Sequence, residues 1–174
     1  MLKTLNIKNF TVFREADFQF GPGLNVVLGV NGAGKSHLLK LAYTAAAASY
    51  QSKQESKTAQ RDFETLLKER LMDIFRADSL ENLVYAREEL REAQVSVMFD
   101  KKDCDIEFYI QYPSEKRTTS AGFGVTRLPT GFVETSPVFI PTREILSIIP
   151  AFAKFHREKE LLLDGTYFDL SFMA

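Results

Sequence analysis

Cysteine is almost missing. Cys104 is the single one among 174 residues, so no internal disulfide can form. Two histidines beside that thiol cannot build a zinc cluster of the usual spacing. No apolar run reaches the roughly 18 residues that a membrane span needs. The opening MLKTLNIKNF has no long apolar core of the kind a signal peptide carries. A soluble, cytoplasmic protein with no membrane partner is the expectation. An excess of one charge is missing too: 22 basic and 23 acidic residues leave a net charge of -1. A dedicated nucleic-acid binder shows a clearer basic bias, although a local patch fits inside a neutral total. Lys3, Lys8, Lys101, Lys102, Lys116 and Arg117 are scattered rather than clustered. No repeat, coiled-coil seam or low-complexity tract is visible.

What is present suits a folded domain, or one lobe of a larger one. Hydrophobic residues make up 45% and charged residues 26%, which supports a core and argues against wholesale disorder. Leu2 to Phe10 and Val12 to Phe20 read as two strands, followed by a sharp turn at Gly21-Pro22-Gly23. Leu24 to Gly29, LNVVLG, is continuously apolar and predicts a short buried strand. Lys35 to Ser49 predicts a helix, then Ser49 to Gln60 a polar loop, then Arg61 to Phe75 a second amphipathic helix. Asp78 or Ser79 suits the cap of a short helix through LENLVYAREEL. Ala93 to Asp100 and Cys104 to Tyr112 alternate as a hairpin around DKKD. Asp100, Asp103 and Asp105 then fall at a turn, as solvated residues. KRTTSAGFGVTRL is a weaker strand or an open loop, and Pro137 to Pro141 a short buried strand. A helix follows, broken or kinked at Pro150. The pattern predicts an α/β fold, a mixed sheet with helices packed against it.

Residues 29–36 read GVNGAGKS, the full phosphate-loop pattern. Its context is a buried-strand signal before and a helix signal after. Gly29, Gly32 and Gly34 let the backbone turn tightly and approach an anion. Backbone N–H groups, that of Ala33 included, and the helix start point at phosphate oxygens. Lys35 is the candidate catalytic residue, reaching the β- and γ-phosphates, and Ser36 the candidate magnesium ligand. Asn31 either braces the loop or meets a phosphate edge. ATP and Mg2+ are the expected cofactors.

The stretch LKTLNIKNFTVFREADFQFGPGLNVVLGVNGAGKSHLLKLAY resembles the N-terminal lobe of the ABC-type ATPase heads of the SMC/RecF/Rad50 superfamily. Asn9-Phe10, the second strand, the glycine turn and the GxNGxGKS loop carry that resemblance. VFIPTREILS resembles a segment of bacterial AAA family ATPases of the RecF-like and OLD-like branch, many of which serve genome maintenance or phage defence. The resemblance implies a P-loop NTPase whose first lobe carries an antiparallel side sheet shaping the base and ribose pocket. It implies a basic residue soon after Asn-Phe; Arg14 is the nearest, either an α-phosphate or lid contact or a solvated strand residue. His37 is either a hydrogen-bond donor near the phosphates or a first-turn helix residue. Thr142, Arg143 and Glu144 stand where the resemblance places a γ-phosphate sensor, though Glu144 also suits a helix start.

The resemblance also implies parts that are not legible in the sequence. A hydrolytic head needs an apolar strand ending in Asp-Glu, a Leu-Ser-Gly-Gly-type signature and a later histidine. LLLDG at 161–165 places Gly165 where the glutamate belongs, so Leu161 to Leu163 read as a helix face ending at Asp164. The expectation is one P-loop nucleotide-binding lobe over 1–174, truncated before the signature and Walker B segments. A homodimer or a partner chain would supply the second lobe, and DNA is a partner by resemblance alone. A non-hydrolysing, nucleotide-dependent interaction module is the alternative. A GTPase would show an Asn-Lys-x-Asp motif, which is absent, and a small P-loop kinase would start at the loop's own strand.

Overall fold

The computed structural model describes residues 1–54, 60–85, 92–112 and 122–140. Strand β1 (Leu2–Phe10) turns back as β2 (Phe13–Gln19), and helices α1 (Lys35–Gln54) and α2 (Gln60–Phe75) follow. Strands β3 (Glu92–Phe99), β4 (Ile106–Gln111) and β5 (Gly122–Arg127) complete one five-stranded sheet. Its order is β2-β1-β3-β4-β5, and each pair is antiparallel.

Alternation along each strand separates two faces. Ala16, Ile7, Val95, Phe108 and Val125 line up across all five strands. Ile7, Val95, Phe108 and Val125, with Leu5, Val97 and Ile106, form a core shared with Leu38, Leu41 and Ala45 of α1 and Phe63, Leu67 and Leu71 of α2. Each such leucine or phenylalanine contributes roughly 1.5–3 kcal/mol by leaving water. On the opposite face Glu15, Lys8, Gln94, Tyr109 and Gly124 line up. Lys8 and Glu15 pair there at 3.5 Å. The Tyr109 ring lies where a β-carbon on Gly124 would sit, its Oη 2.7 Å away, so an alanine cannot enter without moving the phenol.

Alternation fails at one point of β1. Asn9 has φ 51, and Phe10 rather than residue 9 enters the core beyond Ile7. The Phe10 ring meets Phe75 edge-on at 5.4 Å and Phe108 at 6.5 Å. The following segment is drawn onto this end of the sheet. Phe10 bridges to Val84, and the Tyr85 N–H donates to the Asn9 carbonyl at 2.7 Å. Of the expected LENLVYAREEL helix, the described part forms a 3-10 turn at Leu80–Leu83 and leaves it at Val84 and Tyr85, Ser79 gives it no side-chain cap, and residues 86–90 lie outside the described residues.

Other expectations shift for physical reasons. Helix α1 runs on to Gln54, through the stretch that composition marks as a loop. Ser49 and Ser52 are buried there: Ser52 Oγ donates to the Ser49 carbonyl, and Ser49 Oγ accepts the Val133 N–H. Asp105 is not a solvated turn residue. It is 3% exposed, accepts the Phe99 N–H at 2.8 Å and pairs with Arg127 at 2.9 Å. Strand β5 forms, and the Val125 N–H donates to the Glu64 carboxylate of α2 at 3.1 Å.

Two expected strands are not strands. Residues 24–30 and 137–140 adopt no regular secondary structure and have no ladder partner among the described residues. Leu24 and Leu28 are 91% and 87% exposed, and Val138 and Ile140 are exposed too. Continuous apolar sequence buries only where another element covers it. Here Val27 alone of its segment joins the core, and Phe139 rests on Tyr43 at 5.6 Å.

The expected helix after Pro141, Pro150 and LLLDG at 161–165 lie outside the described residues. Among the described residues no helix is long and apolar enough to cross a membrane.

Candidate functional site

The glycine-rich loop is suspended between a locked turn and the start of α1. Asn25 closes the turn before it: its Oδ1 accepts the Gly21 N–H at 2.9 Å, and its Nδ2 donates to the Gly21 and Gly23 carbonyls. The chain then runs without regular structure to Val30 and reverses at Asn31-Gly32, where the Ala33 N–H donates to the Val30 carbonyl at 3.2 Å. Gly32 and Gly34 have φ 83 and 91, in the region that side chains avoid. Helix α1 begins at Lys35, and its first helical bond is Leu38 N–H to the Gly34 carbonyl at 2.9 Å. The N–H groups of Lys35, Ser36 and His37 therefore lack intrahelical acceptors and face outward from a positive helix end.

Lys35 folds back over the loop. Its Nζ donates to the carbonyls of Gly29 at 2.7 Å and Val30 at 2.8 Å. A β-carbon on Gly29 would lie 3.3 Å from Ala33 Cβ, so the loop is tight there as well. This is a small anion cradle: donors and a fixed positive charge on one side, and no side chain projecting from Gly32 or Gly34. Ser36 is exposed beside it, one residue into the helix.

The remaining candidates separate. His37 turns away from the cradle and meets the Phe75 ring edge-on at 5.6 Å. Its Nδ1 is buried without a partner. Burial, and then the Lys40 ammonium, push its pKa below the usual value and favour the neutral ring. Lys40 itself donates to the Ile74 carbonyl at 2.8 Å, tying α1 to the end of α2. Arg14 is exposed on β2 and makes no ion pair among the described residues. Thr142, Arg143 and Glu144 lie outside the described residues.

One contact was not legible in the sequence. A β-carbon on Gly34 would lie 2.6 Å from Val12 Cγ2 and 2.6 Å from Phe13 Cζ. The β1–β2 turn therefore presses on the loop's last glycine. No local pattern signals this, because the two segments meet only in the folded chain.

Comparison with known proteins agrees with the loop. A family model described as "AAA domain" matches residues 4–126. The chain is 51% identical over 39 residues to a DNA repair protein RecN of Xylella fastidiosa, covering 22% of this chain and 7% of that protein. It is 49% identical over 39 residues to a DNA replication and repair protein RecF of Magnetococcus marinus, covering 22% of this chain and 10% of the relative. It is 48% identical over 42 residues to a DNA double-strand break repair Rad50 ATPase of Methanosarcina acetivorans, covering 24% of this chain and 4% of the relative. The chain thus matches only a small part of each relative's length, and the matches spread over three kinds of protein rather than one RecF-like or OLD-like branch. The match over residues 4–126, with the phosphate-loop lobe it contains, means that the chain belongs to the AAA domain family, with an α/β P-loop-type lobe whose short sequence matches are to RecN, RecF and Rad50 proteins.

Proposed function

We propose that the chain is the ATP-binding lobe of a RecF/SMC-like ATPase of the OLD/RecF-like bacterial branch. It acts in the cytoplasm in DNA maintenance or phage defence once a second lobe completes it. The observation that carries the nucleotide reading is the cradle: Gly32 and Gly34 at positive φ, and Lys35 Nζ held against the Gly29 and Val30 carbonyls. Phosphate oxygens are stronger partners for that ammonium than two neutral carbonyls. Lys35 exchanges them for the β- and γ-phosphates, while the N–H groups of Gly32, Gly34, Lys35, Ser36 and His37 hold the remaining oxygens. Asn31 borders the turn, and the Ala33 N–H stays within the loop, on Val30. The Ser36 hydroxyl takes one magnesium position in this reading. Magnesium, when bound, offsets charge on the phosphates. Arg14 and Arg143 complete the phosphate contacts in this reading.

The exposed apolar segments 24–30 and 137–140 support a second lobe or partner chain, either from a homodimer or from another subunit. Both present large apolar side chains that a neighbouring element would cover. The chain alone turns ATP over weakly or not at all. DNA as a partner rests on what the relatives' names say of them. Of the scattered basic residues, Lys8 and Lys101 are paired with Glu15 and Glu134. The second reading is a module that binds nucleotide without hydrolysing it and signals to a partner, and it is favoured by the lack of an apolar run ending in Asp-Glu within this sequence.

Calorimetric titration with Mg-ATP tests the reading. Wild-type chain should bind, and Lys35→Ala should weaken binding roughly 10–100-fold, the loss of a charge-assisted contact. Absence of wild-type binding at millimolar ATP would overturn it. Single-turnover hydrolysis then separates the two readings.

A further inference from the structure

We infer that the β1–β2 turn is a brace that sets the shape of the glycine-rich loop, with Val12 and Phe13 as its positioning residues. The consequence for phosphate binding rests on the nucleotide reading above; the brace itself does not.

The loop has little conformational preference of its own. Gly32 and Gly34 both adopt positive φ, and glycine populates that region and its mirror about equally. Something outside the loop must select one conformation just before Lys35. The side chains of Val12 and Phe13 occupy the space around Gly34 at 2.6 Å from its β-carbon position. They leave the glycine backbone room in one arrangement and block its neighbours.

A brace must itself be rigid, and this turn is built to be. Asn9 and Thr11 both have φ 51, which costs a side-chain-bearing residue free energy, more so for a β-branched one. Such backbone persists only where its surroundings over-determine it. The Thr11 N–H donates to the Leu83 carbonyl at 2.7 Å. The Asn9 carbonyl accepts from Tyr85 at 2.7 Å, and Asn9 Nδ2 donates to the Glu92 carbonyl at 3.0 Å. Phe10, between the two strained residues, is 0% exposed and wedged against Phe75 and Phe108. Phe75 in turn carries the ring of His37. The loop's exit is thus gripped from both sides, at Gly34 by the turn and at His37 by the ring stack.

Val12 is the residue to change. It is 44% exposed, so truncating it opens no core cavity. The measurements are backbone 15N order parameters at Gly32, Gly34 and Lys35 in the nucleotide-free chain, Mg-ATP affinity and the melting temperature. Wild type should show rigid values of about 0.85 at Gly34 and Lys35. Val12→Ala should lower them below about 0.6 and weaken Mg-ATP binding about fourfold, the scale of half-buried methyl groups, with the melting temperature unchanged. Val12→Thr keeps the branched shape and should restore both. A merely structural role would lower the melting temperature and leave the loop's order parameters at wild-type values. Unchanged order parameters in Val12→Ala overturn the brace. A chain that binds no Mg-ATP, yet loosens at Gly34 in Val12→Ala, keeps the brace and sinks the nucleotide reading instead.

Discussion

Strand β1, LKTLNIKNF, is less apolar than the segment LNVVLGV at 24–30, yet it is the buried one. Leu5, Ile7 and Phe10 are wholly inaccessible, while Leu24, Val26, Leu28 and Val30 stand in solvent. The difference lies in neighbours. β1 has β2 on one edge and β3 on the other, with both helices contributing to the core beneath it. The 24–30 segment has no strand on either edge among the described residues. The side sheet is self-sufficient. The loop-bearing segment is shaped for company, and its apolar sequence is a record of what should cover it.

The largest test of this contrast is Phe10→Ala. It removes a ring packed against Phe75 and Phe108 and should cost about 3–5 kcal/mol in chemical denaturation. Gly34→Ala comes next. Its methyl would meet Val12 and Phe13 at a backbone φ of 91, so a loss of about 1–3 kcal/mol is expected, with Mg-ATP affinity falling too. Leu28→Ala, although it deletes an equally large apolar side chain, should stay within about 0.5 kcal/mol of wild type. A large effect there would mean that the segment is covered in solution, and the contrast would break.

The smallest effect is a pH dependence. The pKa of His37 is lowered in the folded chain, so the unfolded chain binds the extra proton first as pH falls. Stability from this group is complete above the ordinary value of 6.5, declines as pH drops below it and levels off beneath the lowered folded pKa. Across this window wild type should lose stability relative to His37→Phe as pH falls, so the difference between their melting temperatures should change with pH in that direction. Parallel curves would place the ring in solvent, not against Phe75.

Local pattern was enough for β1, β2, α1, α2, β3 and β4, because alternation and helical spacing act over a few residues. It was not enough for Asn9, whose positive φ shifts Phe10 inward, since that depends on hydrogen bonds to Tyr85 and Glu92 far along the chain. It misread LNVVLG and PVFIP for the same reason: periodicity reports apolar character, and burial depends on a partner. The loop itself was legible down to Lys35, because its chemistry is contiguous. Its brace was not, because Val12 and Gly34 are joined only by tertiary packing.

The antiparallel pairing of β1 with β3 carries a consequence for how the chain is made. Met1 and Asp100 meet at the end of that ladder, 99 residues apart. β1 leaves the ribosome well before β3, with only β2 beside it, and a two-stranded hairpin is marginal in water. At ordinary synthesis rates its inner edge waits roughly 5–20 s for β3. Through that interval Leu5, Ile7 and Phe10 are open to whatever else is in the cell, so β1 stays exposed to aggregation until a strand made much later covers it.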